Sequence, residues 1–408
     1  MKKFLTSITV YALATLILQA QSDTAVVEAE GVLPLAYDVD VVVAGGSLAG
    51  VEAAIAAAEE GATVLLVDSR PYIGYDLCAT QKLWLGPGEK PSTPLSQELF
   101  GKKQIVTPLE VKRTLDKALL DHKVQFLTGT FPAELLVDQK GDPAGMTIVN
   151  RSGRQAVRAK IVIDATSDAV LARQSKAEFQ PFKPGPKDAQ LIVIGGKPSE
   201  KGNSKKIPGV SFVSKQQQKG SKKTSIREYP IYQYTLSIPN EADTFRSRSR
   251  DLNRMRSVVY DPEMADHSER MLYFPDNPIL PANEDEVFRP KGVANLYVLS
   301  AYAGGSDSAR KKRSQSPSHL APFGRSIGVE AAKQAKQIAP AEKLQFPGSA
   351  TGKKTSKISE VAPSFRFQNC PQIELPAHDL PILGRWDVVV VGGGTSGAPA
   401  AIGSSRWV

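Results

Sequence analysis

Apolar positions fall into two spacings, and their order along the chain predicts alternating strands and helices. Val41, Val42 and Val43 form an unbroken β-branched run, as expected of a strand buried on both faces. An alanine-rich segment from Val51 to Glu60 reads as a helix that Gly61 stops. Thr63 to Val67 is a second apolar strand, and it ends at Asp68. Two strand-like runs lie between Asp121 and Asp138. Met146 to Val149 and Val157 to Asp164 flank a polar turn. Val293 to Leu299 predicts a further strand and Phe323 to Ile338 a helix. Between these lies a stretch with little periodicity, in which only Tyr229 to Pro239 has strand character.

The opening strand, helix and strand are joined by Gly45-Gly46-Ser47-Leu48-Ala49-Gly50. This is the layout of a βαβ dinucleotide unit. Gly45 permits a sharp turn, the helix N-terminus offers amide hydrogens to a pyrophosphate, and Gly50 lets helix and strand approach closely. Asp68 stands where a carboxylate accepts hydrogen bonds from a ribose diol. Ser47 occupies the place of the middle glycine of GxGxxG. A βαβ unit that binds nothing, or an NAD(P) site, fits this first unit taken alone.

The segment Val157 to Phe179 carries the run Ile163-Asp164-Ala165-Thr166-Ser167-Asp168 at the end of a strand. Here the chain resembles the FAD-dependent oxidoreductases of the glutathione-reductase-like superfamily, in the branch whose second fingerprint reads (V/I)IDATGDADLA. Val293 to Leu299 and Phe323 to Ile338 resemble that family's closing strand and returning helix. The resemblance implies an α/β chain with a Rossmann-like FAD/NAD(P)-binding fold, built on a three-layer parallel sheet with an inserted mixed α+β cap. It implies FAD as cofactor, a small-molecule substrate, an unidentified electron acceptor, and a flavin that accepts a hydride. Carried over by position, it puts Gly45, Gly46, Ser47 and Gly50 at the pyrophosphate and Asp68 on the adenosine ribose. Ala165, Thr166 and Ser167 then pass close to the cofactor, and Asp168 is the acid of the second fingerprint. Ser167 stands where that fingerprint has glycine, and Leu299-Ser300-Ala301 where the family has AGR. Cys78 falls in the loop expected under the flavin, with a packing role set against a redox one. His319 is the histidine that the resemblance brings nearest the flavin. No residue is assigned as a catalytic base.

Trp386 to Ile402 repeats the opening motif: Asp40 to Ile55 and Asp387 to Ile402 agree at ten of sixteen positions. This copy has Gly392, Gly394 and Gly397, but no second strand or ribose acid follows. The expected organisation is therefore a signal peptide at 1–20, and an FAD-binding domain at 38–181 closed by 290–340. A substrate cap at 182–289, a linker at 341–385 and a truncated second module at 386–408 complete it. An alternative is that the stub completes the first module's sheet. A degenerate, non-catalytic flavoprotein-like scaffold is the alternative to an active enzyme.

Composition narrows the classes further. Hydrophobic residues make up 41% and charged residues 23% of 408, which excludes wholesale disorder. Two cysteines and four dispersed histidines give neither a disulfide framework nor metal-ligand spacing. The net charge of +9 is local: Lys197 to Glu228 holds nine basic residues against two Glu, and Arg310 to Arg313 adds four. The lysines carry no interleaved aromatics, so the first cluster reads as a solvated loop rather than a nucleic-acid surface. Lys2 and Lys3 precede the uncharged stretch Phe4 to Leu18, with Ala20 before Gln21. That is a secretory signal layout, too short for a comfortable span, with an uncleaved anchor as the other reading. A secreted or periplasmic protein with no stable membrane anchor after cleavage is expected.

Overall fold

The computed structural model describes residues 25–28, 30–86, 88–103, 105–199, 203–217, 224–347, 357–358, 371–375, 377–382 and 386–405. The expected signal peptide at 1–20 lies outside them. The chain divides into a large unit, centred on 32–347, and a small unit of terminal segments.

In the large unit, β1 (Gly31–Ala44), β2 (Val64–Val67), β3 (Gln125–Leu127), β4 (Phe131–Val137), β5 (Pro143–Asn150) and β6 (Gly153–Asp164) lie in one sheet. The parallel core runs β3-β2-β1-β6, in the register Val42 to Leu65 and Val42 to Val162. Antiparallel β4 and β5 continue from the N-terminal half of β6 as a meander. The unbroken valine runs follow from burial on both faces. Val41, Val43, Ile161 and Ile163 belong to one core cluster, whereas Val42, Ala44 and Val162 belong to the other.

The first core is covered by α1 (Leu48–Glu59) and, in chain order, α2 (Tyr75–Cys78), α3 (Pro94–Phe100) and α4 (Pro108–Asp121). Thr107 caps α4, with Glu110 closing a capping box. The second core is filled by Leu135, Met146 and Ile148 of the meander. The cap follows, with β7 (Lys187–Gly195), β8 (Asn203–Gln217), β9 (Thr224–Ile238), α5 (Phe245–Val259) and β10 (Met264–His267). Its antiparallel sheet has the order β10-β7-β9-β8. The basic stretch read as a loop is therefore largely a hairpin: Val213 pairs with Glu228 and Lys206 with Tyr232. Polar side chains on an exposed ladder hid the period-two signal.

The chain returns through β11 (Leu296–Val298), parallel to β6, then α6 (Asp307–Gln315) and α7 (Ala321–Ala335). A Cβ on Gly324 or Gly328 would stand 2.2 Å from the carbonyl oxygens of Ala49 or Ala53, so these glycines set the close contact of α7 on α1. Arg310 and Arg313 are buried, their guanidinium groups against Phe274 and Phe288 and bonded to the carbonyls of Pro275 and Gly304. Within the expected linker, Leu344 and Phe346 are buried and Gln345 exchanges both backbone bonds with Val137.

In the small unit, Ala25–Glu28 pairs with Lys357–Ile358 and His378–Pro381. The second glycine motif forms its turn and a helix, α8 (Gly397–Ser405), which buries no residue. Val388 to Val391 make no strand among the described residues and are exposed. The turn itself needs no sheet: Gly392 has φ +103°, against +108° at Gly45.

Candidate functional site

The site lies at the carboxyl ends of β1, β2, β6 and β11, where parallel sheets of this kind place ligands. Gly45 leaves β1 at a positive φ, and a Cβ there would lie 2.5 Å from the Ala165 carbonyl oxygen. A Cβ on Gly50 would lie 2.3 Å from the Gly45 carbonyl oxygen. The two glycines therefore bring the turn against the end of β6, and the predicted residues of both fingerprints meet in space.

The turn's amides are already engaged. Ser47 caps α1, its hydroxyl accepting from the Gly50 amide at 3.1 Å. The Asp68 carboxylate accepts from the Gly46 amide at 2.6 Å and from the Arg70 amide at 2.7 Å. Asp76 accepts from the Leu48 amide at 3.0 and 3.1 Å. Burial pushes Asp68 up to about 6 and Asp76 up to about 7, against the hydrogen bonds that favour their charged forms. Asp76 holds its place through the loop before α2. Gly74 donates to the Gly46 carbonyl at 2.7 Å, Ile73 is fully buried on the turn, and the Tyr75 hydroxyl donates to the Ala165 carbonyl at 2.9 Å.

The second fingerprint is organised by Asp164, which sequence reasoning left without a role. Its buried carboxylate accepts from Thr166 at 3.1 Å (amide) and 2.6 Å (hydroxyl), and from the Leu171 and Ala172 amides at 2.8 and 2.9 Å. Thr166 and Asp164 thus shape the turn that presents Ser167 and Asp168. The Ser167 hydroxyl donates to Asp168 at 2.9 Å, and Arg248 of α5 lies 3.4 Å from the same carboxylate.

Ser167 and Asp168 open onto a cavity of about 530 Å³ between the strand ends and α5. Arg70, Arg248, Arg256 and Arg270 line it, together with Glu269 and Tyr302. The cap arginines carried no local sequence signal, because α5 and the 269–275 segment meet the fingerprints only in three dimensions. Cys78 is buried, and burial raises its thiol to about 12, so it packs rather than reacts at neutral pH. His319 is not among the cavity residues: its Nδ1 meets the Lys312 carbonyl at 2.7 Å and its Nε2 the Glu89 carboxylate at 3.5 Å. No group of His, Cys, Asp and Glu among the described residues is placed to hold a metal ion. No described helix is long and apolar enough to cross a membrane.

For FAD, the residue types suit a dinucleotide, and two of the groups at the turn are already engaged by the protein. The Leu48 amide at the helix N-terminus is taken by Asp76, and Tyr75 bridges the turn to Ala165 where the two fingerprints meet.

Residues 40–181 match the family model described as FAD dependent oxidoreductase. The match spans both fingerprints, and it supports an FAD-dependent oxidoreductase family and FAD as the cofactor. No curated protein matches the chain. Similar solved structures include the flavin-dependent brominase Bmp2, at 12% identity over 74% of this chain and 79% of that one, with a TM-score of 0.42. A ternary complex of aklavinone-11 hydroxylase with FAD and aklavinone gives 13%, 74%, 63% and 0.43. The anhydrotetracycline hydroxylase OxyS from Streptomyces rimosus gives 13%, 74%, 70% and 0.38.

Proposed function

We propose that the protein is an exported FAD-dependent oxidoreductase acting on a small organic substrate in the cavity beneath the cap. One observation carries this reading. The β1–turn–α1–β2–Asp68 unit and the Ala165–Asp168 turn lie side by side at the strand ends, inside the span that matches the FAD-dependent family. In this reading Gly45, Gly46, Ser47 and Gly50 face the pyrophosphate and Asp68 the adenosine ribose. Ala165, Thr166, Ser167 and Asp168 border the rest of the cofactor. Asp76 would compete with it for the Leu48 amide. FAD supplies the redox chemistry when bound, while the protein supplies orientation and electrostatics. Export is supported by Lys2 and Lys3 ahead of the uncharged stretch Phe4 to Leu18. The second glycine motif at 386–408 is proposed to be the start of an incomplete module, since among the described residues it brings a turn and a helix without a paired strand.

The test is to express the chain, release any cofactor by heat denaturation and identify it by mass spectrometry. FAD near one per chain is the expected result. A folded protein that releases none and takes none up from added FAD contradicts the reading.

A further inference from the structure

The cavity under α5 has an uneven charge balance. Four arginines line it against two carboxylates, Asp168 and Glu269. Arg70 is paired with Glu269, which also accepts from the Tyr72 hydroxyl at 3.2 Å. Arg248 is held by Asp243 at 2.5 Å and faces Asp168. Arg256 and Arg270 make no ion pair with a carboxylate among the described residues; the buried Asp68 carboxylate feels the charge of Arg270, which favours its ionised form. Arg256 donates from one terminal nitrogen to the Glu269 carbonyl at 3.0 Å, and its buried Nε has no hydrogen-bond partner. The Arg270 guanidinium lies 5.4 Å from the centroid of the Tyr75 ring. Tyr302, also in the wall, is 2% exposed and its buried hydroxyl is unpartnered. Buried donors without acceptors are costly, and their presence in one wall asks for an acceptor. A neutral ligand would leave the surplus guanidinium charges of this wall as they are. An anionic one answers them, and the planar fork of arginine suits carboxylate and phosphate oxygens. Leu252, Met271 and Tyr273 supply apolar wall beside these donors.

We propose that this cavity binds a small organic anion. Its carboxylate or phosphate group is received by Arg256 and Arg270, and its apolar body by Leu252, Met271 and Tyr273. The size is that of a small-molecule pocket. Naming this anion as the class of substrate rests on the oxidoreductase reading; the binding itself does not.

The experiment uses the full chain, titrated calorimetrically with benzoate, phenyl phosphate and the neutral benzyl alcohol, and with FAD in parallel. At least one of the two anions is expected to bind, and benzyl alcohol to bind about tenfold more weakly or worse. Which anion binds more tightly distinguishes a carboxylate from a phosphate ligand. Arg256→Gln and Arg270→Gln should each weaken the anion about tenfold, and Arg270→Lys should restore part of the loss. Arg270 makes no side-chain hydrogen bond among the described residues, so its variants remain informative if Arg256→Gln fails to fold. Equal binding of benzyl alcohol, no binding of either anion, or full anion affinity in Arg270→Gln overturns the proposal. Stoichiometric competition between FAD and the anion also overturns it, because the cavity would then be part of the cofactor's own berth. A protein that binds the anion through Arg270 but never binds FAD keeps this proposal and removes the oxidoreductase reading. The reverse pattern does the opposite.

Discussion

At the scale of single residues, Asp76 decides how the site behaves with pH. The sequence offers no reason to single it out, since an aspartate after Gly74-Tyr75 reads as an ordinary polar loop residue. Its role appears only when the loop is laid on the turn and its carboxylate reaches the Leu48 amide. Burial raises it from 3.8 to about 7, so the folded state favours the neutral acid. The stabilisation is present in full below the unfolded value and is lost as pH rises from about 4 through 7. Asp68, raised to about 6, follows the same sign. Asp76→Asn keeps an acceptor without the charge. Its melting temperature relative to wild type should therefore climb between pH 5 and pH 8, by a few degrees at the upper end. A difference that stays flat across that range would mean that Asp76 ionises freely in the closed loop. Other residues were legible in advance for a physical reason. Gly45 and Gly50 are dictated by the close backbone approaches within one βαβ unit, and such local constraints leave a readable spacing.

At the scale of elements, what was readable followed burial. The strands of the parallel core were marked because both faces are covered, which demands continuous apolar runs such as Val41 to Val43. The hairpin β8–β9 was not, because its exposed ladder carries Lys205, Lys206 and Arg227 in place of alternating apolar residues. Val388 to Val391 erred in the opposite direction: composition alone promises a strand, yet a strand requires a neighbour to pair with. The α2 loop is the element packed directly on the first turn. The Tyr75 hydroxyl fastens the loop to the Ala165 carbonyl. Tyr75→Gly removes that fastening. It should strengthen FAD binding about tenfold, read by quenching of flavin fluorescence on titration. Unchanged or weaker affinity would show that Tyr75 does not compete with the cofactor.

At the scale of the whole molecule, the large unit holds both fingerprints, the cap and the arginine-lined cavity, and the small unit holds the second glycine motif. Removal of 386–408 should leave the FAD content of the remaining chain unchanged, measured as flavin absorbance per protein. A colourless or unstable product would assign the motif to the first module. FAD binding by this protein depends on the first turn. There a Cβ on Gly50 would lie 2.3 Å from the Gly45 carbonyl oxygen, closer than any side chain permits. The most direct measurement is therefore an FAD titration of wild type beside Gly50→Val, with circular dichroism to confirm that both are folded. Saturable binding near one FAD per chain is expected in wild type and none in the variant. Equal FAD uptake by a folded Gly50→Val protein would contradict this, placing any flavin away from this turn.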